Sequence, residues 1–229
     1  MKRKLLLALV AALLAAPAVM AGVDIDFGAN VNVNDHTNLF FSISSRYYDR
    51  DRATVSSFGA RFGDPDDLSV ALFINRYCGR SLDEILVLRR QGLSWWDVSV
   101  RYRVPLDVWF VPVARDPGPP YGKAYGHWRK HERDRNAVVV LRDPDIRNLV
   151  AVRMIHDYYG VPVETAMEWR ASGRKVHTVM AEEYNRRHTK QTAAARSGSS
   201  SRASGGSAKE HENGQGHGKG NGKGNGKNK

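Results

Sequence analysis

The sequence predicts a mainly α-helical protein, two trihelical repeats with a short β segment in front and a disordered basic tail behind. Three observations carry that prediction. The stretch from Leu68 to Arg103 recurs without a gap from Leu149 to Tyr184, 81 residues on, as Gly160 stands from Gly79. Matches fall at Leu68/Leu149, Ile74/Ile155, Tyr77/Tyr158, Gly79/Gly160, Arg89/Arg170, Gly92/Gly173 and Val98/Val179, and a fixed period sets the unit of architecture. Within each copy apolar residues recur at helical spacing, as at Leu82, Ile85, Leu86 and at Val163, Ala166, Met167. From about Arg186 onward the chain turns to Gly, Ser, Lys and Asn, too poor in large apolar groups to offset the entropy of ordering.

Taken in order, the chain opens with Lys2, Arg3 and Lys4, an apolar run from Leu5 to Leu14, and small residues ending Val19-Met20-Ala21. That pattern predicts a secretory signal over 1–21, cleaved after Ala21, and so a periplasmic or secreted protein. The run crosses Pro17 and falls short of the ~20 apolar residues a membrane span needs. Residues 22–63 read as a β segment and linker. Val23, Ile25 and Phe27 alternate with Asp24 and Asp26, and Val31 and Val33 with Asn32 and Asn34, the period of a half-buried strand. Leu39–Ile43 is a second β-favouring run beyond a turn-rich Asn34–Asn38, which predicts a hairpin. Asp51–Phe62 is polar and Gly-bearing, a linker.

The repeats are expected over 64–113 and 143–185. Asp64-Pro65-Asp66-Asp67 and Asp143-Pro144-Asp145 are helix starts, with a cap, a proline in the first turn and acids where the helix dipole favours them. Gly79 and Gly160 end the first helix of each copy, in the left-handed conformation glycine tolerates. The second helix begins with a Ser81/Glu84 capping box in one copy and at Pro162 in the other. A third begins at Ser94, with Asp97 at capping-box distance, and buries Trp95 and Val98, matched by Val176 and Val179. Between the copies, 114–142 is a Gly/Pro/Tyr connector. Leu106–Val113 suits an extra helical turn or an extended segment packed on the first copy. Ala137–Leu141 is an apolar run, either a strand or the lead-in to the next helix.

The formal net charge is +11. Ten lysines and arginines from Arg186 onward, against Glu210 and Glu212, give the tail +8; Lys2, Arg3 and Lys4 add +3, which leaves residues 5–185 neutral. Outside the cytoplasm such a tail fits anionic lipid, lipopolysaccharide or acidic polysaccharide through screened attraction, or acts only as a solubilising segment.

Candidate chemistry is sparse. His127 and His131, four apart in GHWRKHERD, can share a helix face as two metal ligands, with no third ligand at a recognisable spacing. Arg89 and Arg170, the charged residues common to both copies, are either paired anion contacts or charges that complement helix C-termini. Cys78, the single cysteine, faces an oxidising compartment, as a buried thiol or in an intermolecular disulfide. No nucleophile elbow, phosphate-cradling glycine loop or HExxH is present.

HDYYGVPVETAMEWRASGRK, residues 156–175, resembles a helix-turn-helix, which implies a second helix able to enter a DNA major groove. Glu164 and Glu168 on that helix, the export signal and the neutral body argue against sequence-specific DNA, leaving the likeness as one of packing. With FVPV, GPPYGKAYG and the doubled Tyr-x-Gly, residues 64–185 resemble a family of uncharacterised exported bacterial proteins. That resemblance implies a location and a fold, but no reaction. The expectation is a non-enzymatic exported scaffold or binding module, without a cofactor, held near the anionic envelope by its tail. The alternative is an envelope enzyme or metal protein using His127 and His131.

Overall fold

Asp35 opens the described chain as a helix cap, its carboxylate accepting the Thr37 and Asn38 amides at 3.1 and 3.0 Å. The computed structural model describes residues 35–203; the signal over 1–21, the alternating Val23–Val33 and the tail beyond Ala203 lie outside the described residues. From Asp35 the chain enters α1 (His36–Tyr48), and after a second cap at Asp51 it enters α2 (Arg52–Phe62). The β segment and linker expected over 22–63 are thus corrected where they are described: both stretches are helices. Leu39, Phe40, Phe41, Ser42, Ile43 and Ser44 are all buried. A helix covered on every side shows no helical periodicity in its sequence. In α2 only Val55 and Phe58, three apart, are buried, a stripe too thin to stand out among Ser, Arg and Gly.

The next three helices are α3 (Pro65–Cys78), α4 (Leu82–Arg90) and α5 (Trp95–Arg101), capped by Asp64, Ser81 and Ser94. A single 3-10 turn, Leu106–Trp109, buries Trp109 against the Phe73 ring, centroids 4.8 Å apart. Then come α6 (Gly122–Arg133), α7 (Asp143–Tyr159), α8 (Val163–Ala171) and α9 (Val176–Ala203). The later trio keeps the 81-residue spacing of the sequence. Tyr159 ends α7 as Cys78 ends α3, α8 has the bounds of α4, and Val176 opens α9 as Trp95 opens α5. Gly79 and Gly160 both follow with positive φ, 67° and 62°.

The chain divides into a unit ending at Arg187 and a second from His188. In the first, α3 and α7 pack on each other. Helices α1, α2 and α4 lie on α3, α8 on α7, and α5 on both α4 and α7. Phe40, Phe73, Ile74, Trp95, Leu149 and Ile155 fill the centre. Tyr47 ties α1 to α7 by donating to the Asp157 carboxylate at 2.7 Å. Over 186–203 the expected disorder is also corrected, since α9 continues through Ala203. Glu183, itself buried, accepts from Arg186 and Arg187 one turn on, and pairs at that spacing support a helix across the composition change.

Between α6 and α7 the backbone is extended. Val139 and Leu141 turn inward, 8% and 2% exposed, while Val138 and Val140 stay 83% and 59% exposed.

Candidate functional site

The two shared arginines lie at the seam between the repeats, and each holds a carboxylate of the other copy. Arg89, near the end of α4, donates from Nη2 to Asp143 at 2.9 Å and from Nη1 to the Leu93 carbonyl. Its guanidinium lies 4.3 Å over the Trp95 ring, and the Trp95 amide donates to the same Asp143 at 2.7 Å. Arg170, near the end of α8, donates to Asp66 at 3.2 Å, to Asn148 at 3.0 Å and to the Arg174 carbonyl. The Val176 amide completes the match by donating to Asp66 at 3.1 Å. In both copies, then, an arginine and the first amide of the third helix grip an aspartate at the start of the partner repeat's first helix.

Leu93 and Arg174 supply carbonyls from equivalent positions, so each arginine also closes the end of its own helix, where the dipole favours a cation. The second clasp is the more enclosed: the side chains of Arg170 and Asp66 are 6% and 4% exposed, those of Arg89 and Asp143 18% and 24%. A third arginine without a counterpart in the first copy, Arg147, forks onto Asp67 at 2.6 and 2.8 Å, and Trp95 Nε1 donates to that carboxylate at 2.6 Å. Lys175 reaches Asp64 at 2.9 Å. Burial pushes the Asp64 carboxyl up, but the Lys175 ammonium and the Asp66 amide outweigh it and hold it below its ordinary 3.8.

Anion contact at Arg89 and Arg170 is therefore made to internal carboxylates. An outside anion would have to displace from each an aspartate that also holds a backbone amide. In the sequence Asp66 and Asp67 read as first-turn acids and Asp143 as a helix cap; Asp143 is instead the first residue of α7, behind Arg142. The doubled Asp-Pro setting of these aspartates is visible, but the arginine partners lie 54, 80 and 104 residues away.

His127 and His131 both lie on α6, and His131 Nδ1 comes 3.5 Å from the Ala137 carbonyl. Among the described residues, no group of three His, Cys, Asp or Glu side chains is gathered to hold a metal ion. Cys78 is a free, partly buried thiol at the end of α3.

A shallow cleft of about 170 Å³ opens between the connector and α8, lined by Arg115, Asp116, Tyr121, Glu164, Met167 and Glu168 among others. The Tyr121 hydroxyl donates to the Met167 carbonyl at 3.2 Å, and burial raises its pKa well above 10. It braces the connector on α8 and is no base. At the entry to α9, burial lowers the His177 pKa below 6.5; its Nδ1 is enclosed without a hydrogen-bond partner, and its ring meets the Phe40 ring edge-on at 6.5 Å.

No known family, curated protein or solved structure matches the chain.

Proposed function

We propose that this chain is an exported, non-enzymatic scaffold or binding module, two helix-turn-helix-like units clasped together and held near the anionic cell envelope by a cationic tail. One observation carries the proposal: the distribution of charge. The tail from Arg186 has a net +8, while residues 5–185 sum to zero. A polycationic segment concentrates a protein at an anionic surface by summed, screened attraction without requiring a shaped site. The seam supports the module half of the reading. The charged residues the copies share serve to join them, so the doubled unit is accounted for as architecture. Sequence-specific DNA is a poorer fit to these residues, since α8 presents Glu164 and Glu168 where phosphate contact needs cations.

The test keeps the whole chain and replaces Lys209, Lys219, Lys223, Lys227 and Lys229 with serine. Association of the parent with lipopolysaccharide or acidic polysaccharide should be measurable at low salt. It should fade as the Debye length shrinks from ~30 Å at 0.01 M to ~8 Å at 0.15 M. The five-serine variant should lose most of it. Equal association by both proteins would sink the tether.

A further inference from the structure

The neutral sum over the folded part conceals a local excess. Between Gly122 and Arg142 stand six lysines and arginines, Lys123, Arg129, Lys130, Arg133, Arg135 and Arg142, against Glu132 and Asp134. Two of them are tied to acids outside that stretch, Arg129 to Asp116 at 2.6 Å and Arg135 more loosely to Asp107 at 3.6 Å. Lys123, Lys130 and Arg133 are exposed and have no carboxylate within salt-bridge distance among the described residues. Spaced seven and then three apart, they lie along one face of α6. The extended segment that follows adds two bare valines, with the Arg142 side chain, 64% exposed and paired to Asp145, standing next on the same side.

Two valines exposed at alternate positions are unusual when their neighbours are cationic on both sides. Burying them in another protein would also desolvate the surrounding cations, which costs heavily without matched acids. At a bilayer surface the same arrangement is favourable throughout. Valines enter the boundary between headgroups and acyl chains, cations stay at the phosphates, and the extended backbone keeps its water. We infer that the exposed cations of α6, Lys123, Lys130 and Arg133, together with the exposed Val138 and Val140 just beyond its end, dock the folded unit on an anionic phospholipid surface. The envelope location proposed above supplies its setting, but its contacts are separate from the tail.

The experiment uses the full chain and phosphatidylcholine vesicles made with or without phosphatidylglycerol, read by co-sedimentation. The tail is first neutralised by adding Lys190→Gln, Arg196→Gln and Arg202→Gln to the five serine substitutions, which takes its net +8 to zero, so that binding reports the face alone. That protein should still bind phosphatidylglycerol vesicles and not pure phosphatidylcholine. Adding Lys130→Ser and Arg133→Ser should weaken binding roughly fivefold per cation. Adding Val138→Asp and Val140→Asp instead should weaken it on the order of tenfold, and Val138→Trp should strengthen it, because indole favours the interface. The exposed positions leave the core untouched, which an unchanged melting temperature verifies. If the tail-neutralised chain ignores anionic vesicles, the face is not a docking surface, whatever the tail does. If the valine variants bind like their parent, or if heparin and RNA are bound equally well with the valines replaced, the patch is a general polyanion site and the bilayer inference falls. Loss of binding on tail neutralisation with no further effect of the face variants would leave the tether standing and remove this inference alone.

Discussion

Arg170 shows most sharply what a single residue does here. Its buried guanidinium faces the buried Asp66 carboxylate, and removing either partner strands the other. Arg170→Ala should cost about 3–5 kcal/mol in urea unfolding, the range for breaking a buried pair. Arg89→Ala, at the more solvated clasp, should cost about 1–3 kcal/mol. Combining Arg170→Ala with Asp66→Ala should cost clearly less than the sum of the single changes; strict additivity would mean the two do not act on each other. His177 gives a pH signature of its own. Its folded pKa lies below 6.5 because burial disfavours the imidazolium. The unfolded chain therefore takes up the proton first as pH falls. The stability His177 contributes is whole above pH 6.5 and is lost progressively as pH falls from 6.5 through the lowered folded value. Melting temperature should decline over that window, and His177→Phe, which keeps the ring against Phe40, should flatten the decline. An unchanged slope would remove His177 as its source.

Among the helices, α1 and α2 define what the sequence could and could not disclose. Helices α4 and α5 are legible because each carries a cap and a one-sided apolar stripe, and α3, buried without interruption from Leu68 to Asn75, is legible from its Asp-Pro start and its Gly79 stop. Leu39–Ile43 reads as β in the sequence because its residues are β-favouring and apolar but for Ser42. Only the neighbours that cover α1, chiefly α2 and α3, explain why it is a helix. The caps were nevertheless present: Asp35 and Asp51 each accept amides of the first turn. In α2 the packing is also set by an absence. A Cβ on Gly59 would clash with the edge of the Phe41 ring at Cζ and Cε1, with Leu68 Cδ2 at 3.4 Å. Alanine favours a helix interior by ~1 kcal/mol over glycine, yet overpacking costs about 1–3 kcal/mol. The clash should win at this site. Gly59→Ala should lower stability by roughly 1–2 kcal/mol in denaturant unfolding; a gain would show that Phe41 moves aside freely.

For the molecule as a whole, the repeat was readable from seven matched positions, but the way the copies engage was not. The sequence displays Arg89 and Arg170 as equivalent; it does not show that each crosses to the other copy, because pairing across 54 or 104 residues leaves no local pattern. Summed charge misled in a similar way, since a neutral total is compatible with a cationic α6. The crossed clasps carry a consequence for cooperativity. Asp143 belongs to the second repeat but caps α5 of the first through the Trp95 amide, and Asp66 of the first repeat caps α9 through the Val176 amide. Each repeat thus begins its third helix on an acceptor it does not own. Local opening in one copy should release the third helix of the other, so the two should unfold as one cooperative unit. Native-state hydrogen exchange on full-length Asp143→Ala should show the Trp95 amide and α5 losing protection, although the substitution lies in α7. Asp66→Ala should do the same at Val176 and the first turns of α9. If faster exchange stays within the substituted repeat in both variants, the clasps join the copies in space without coupling their stability.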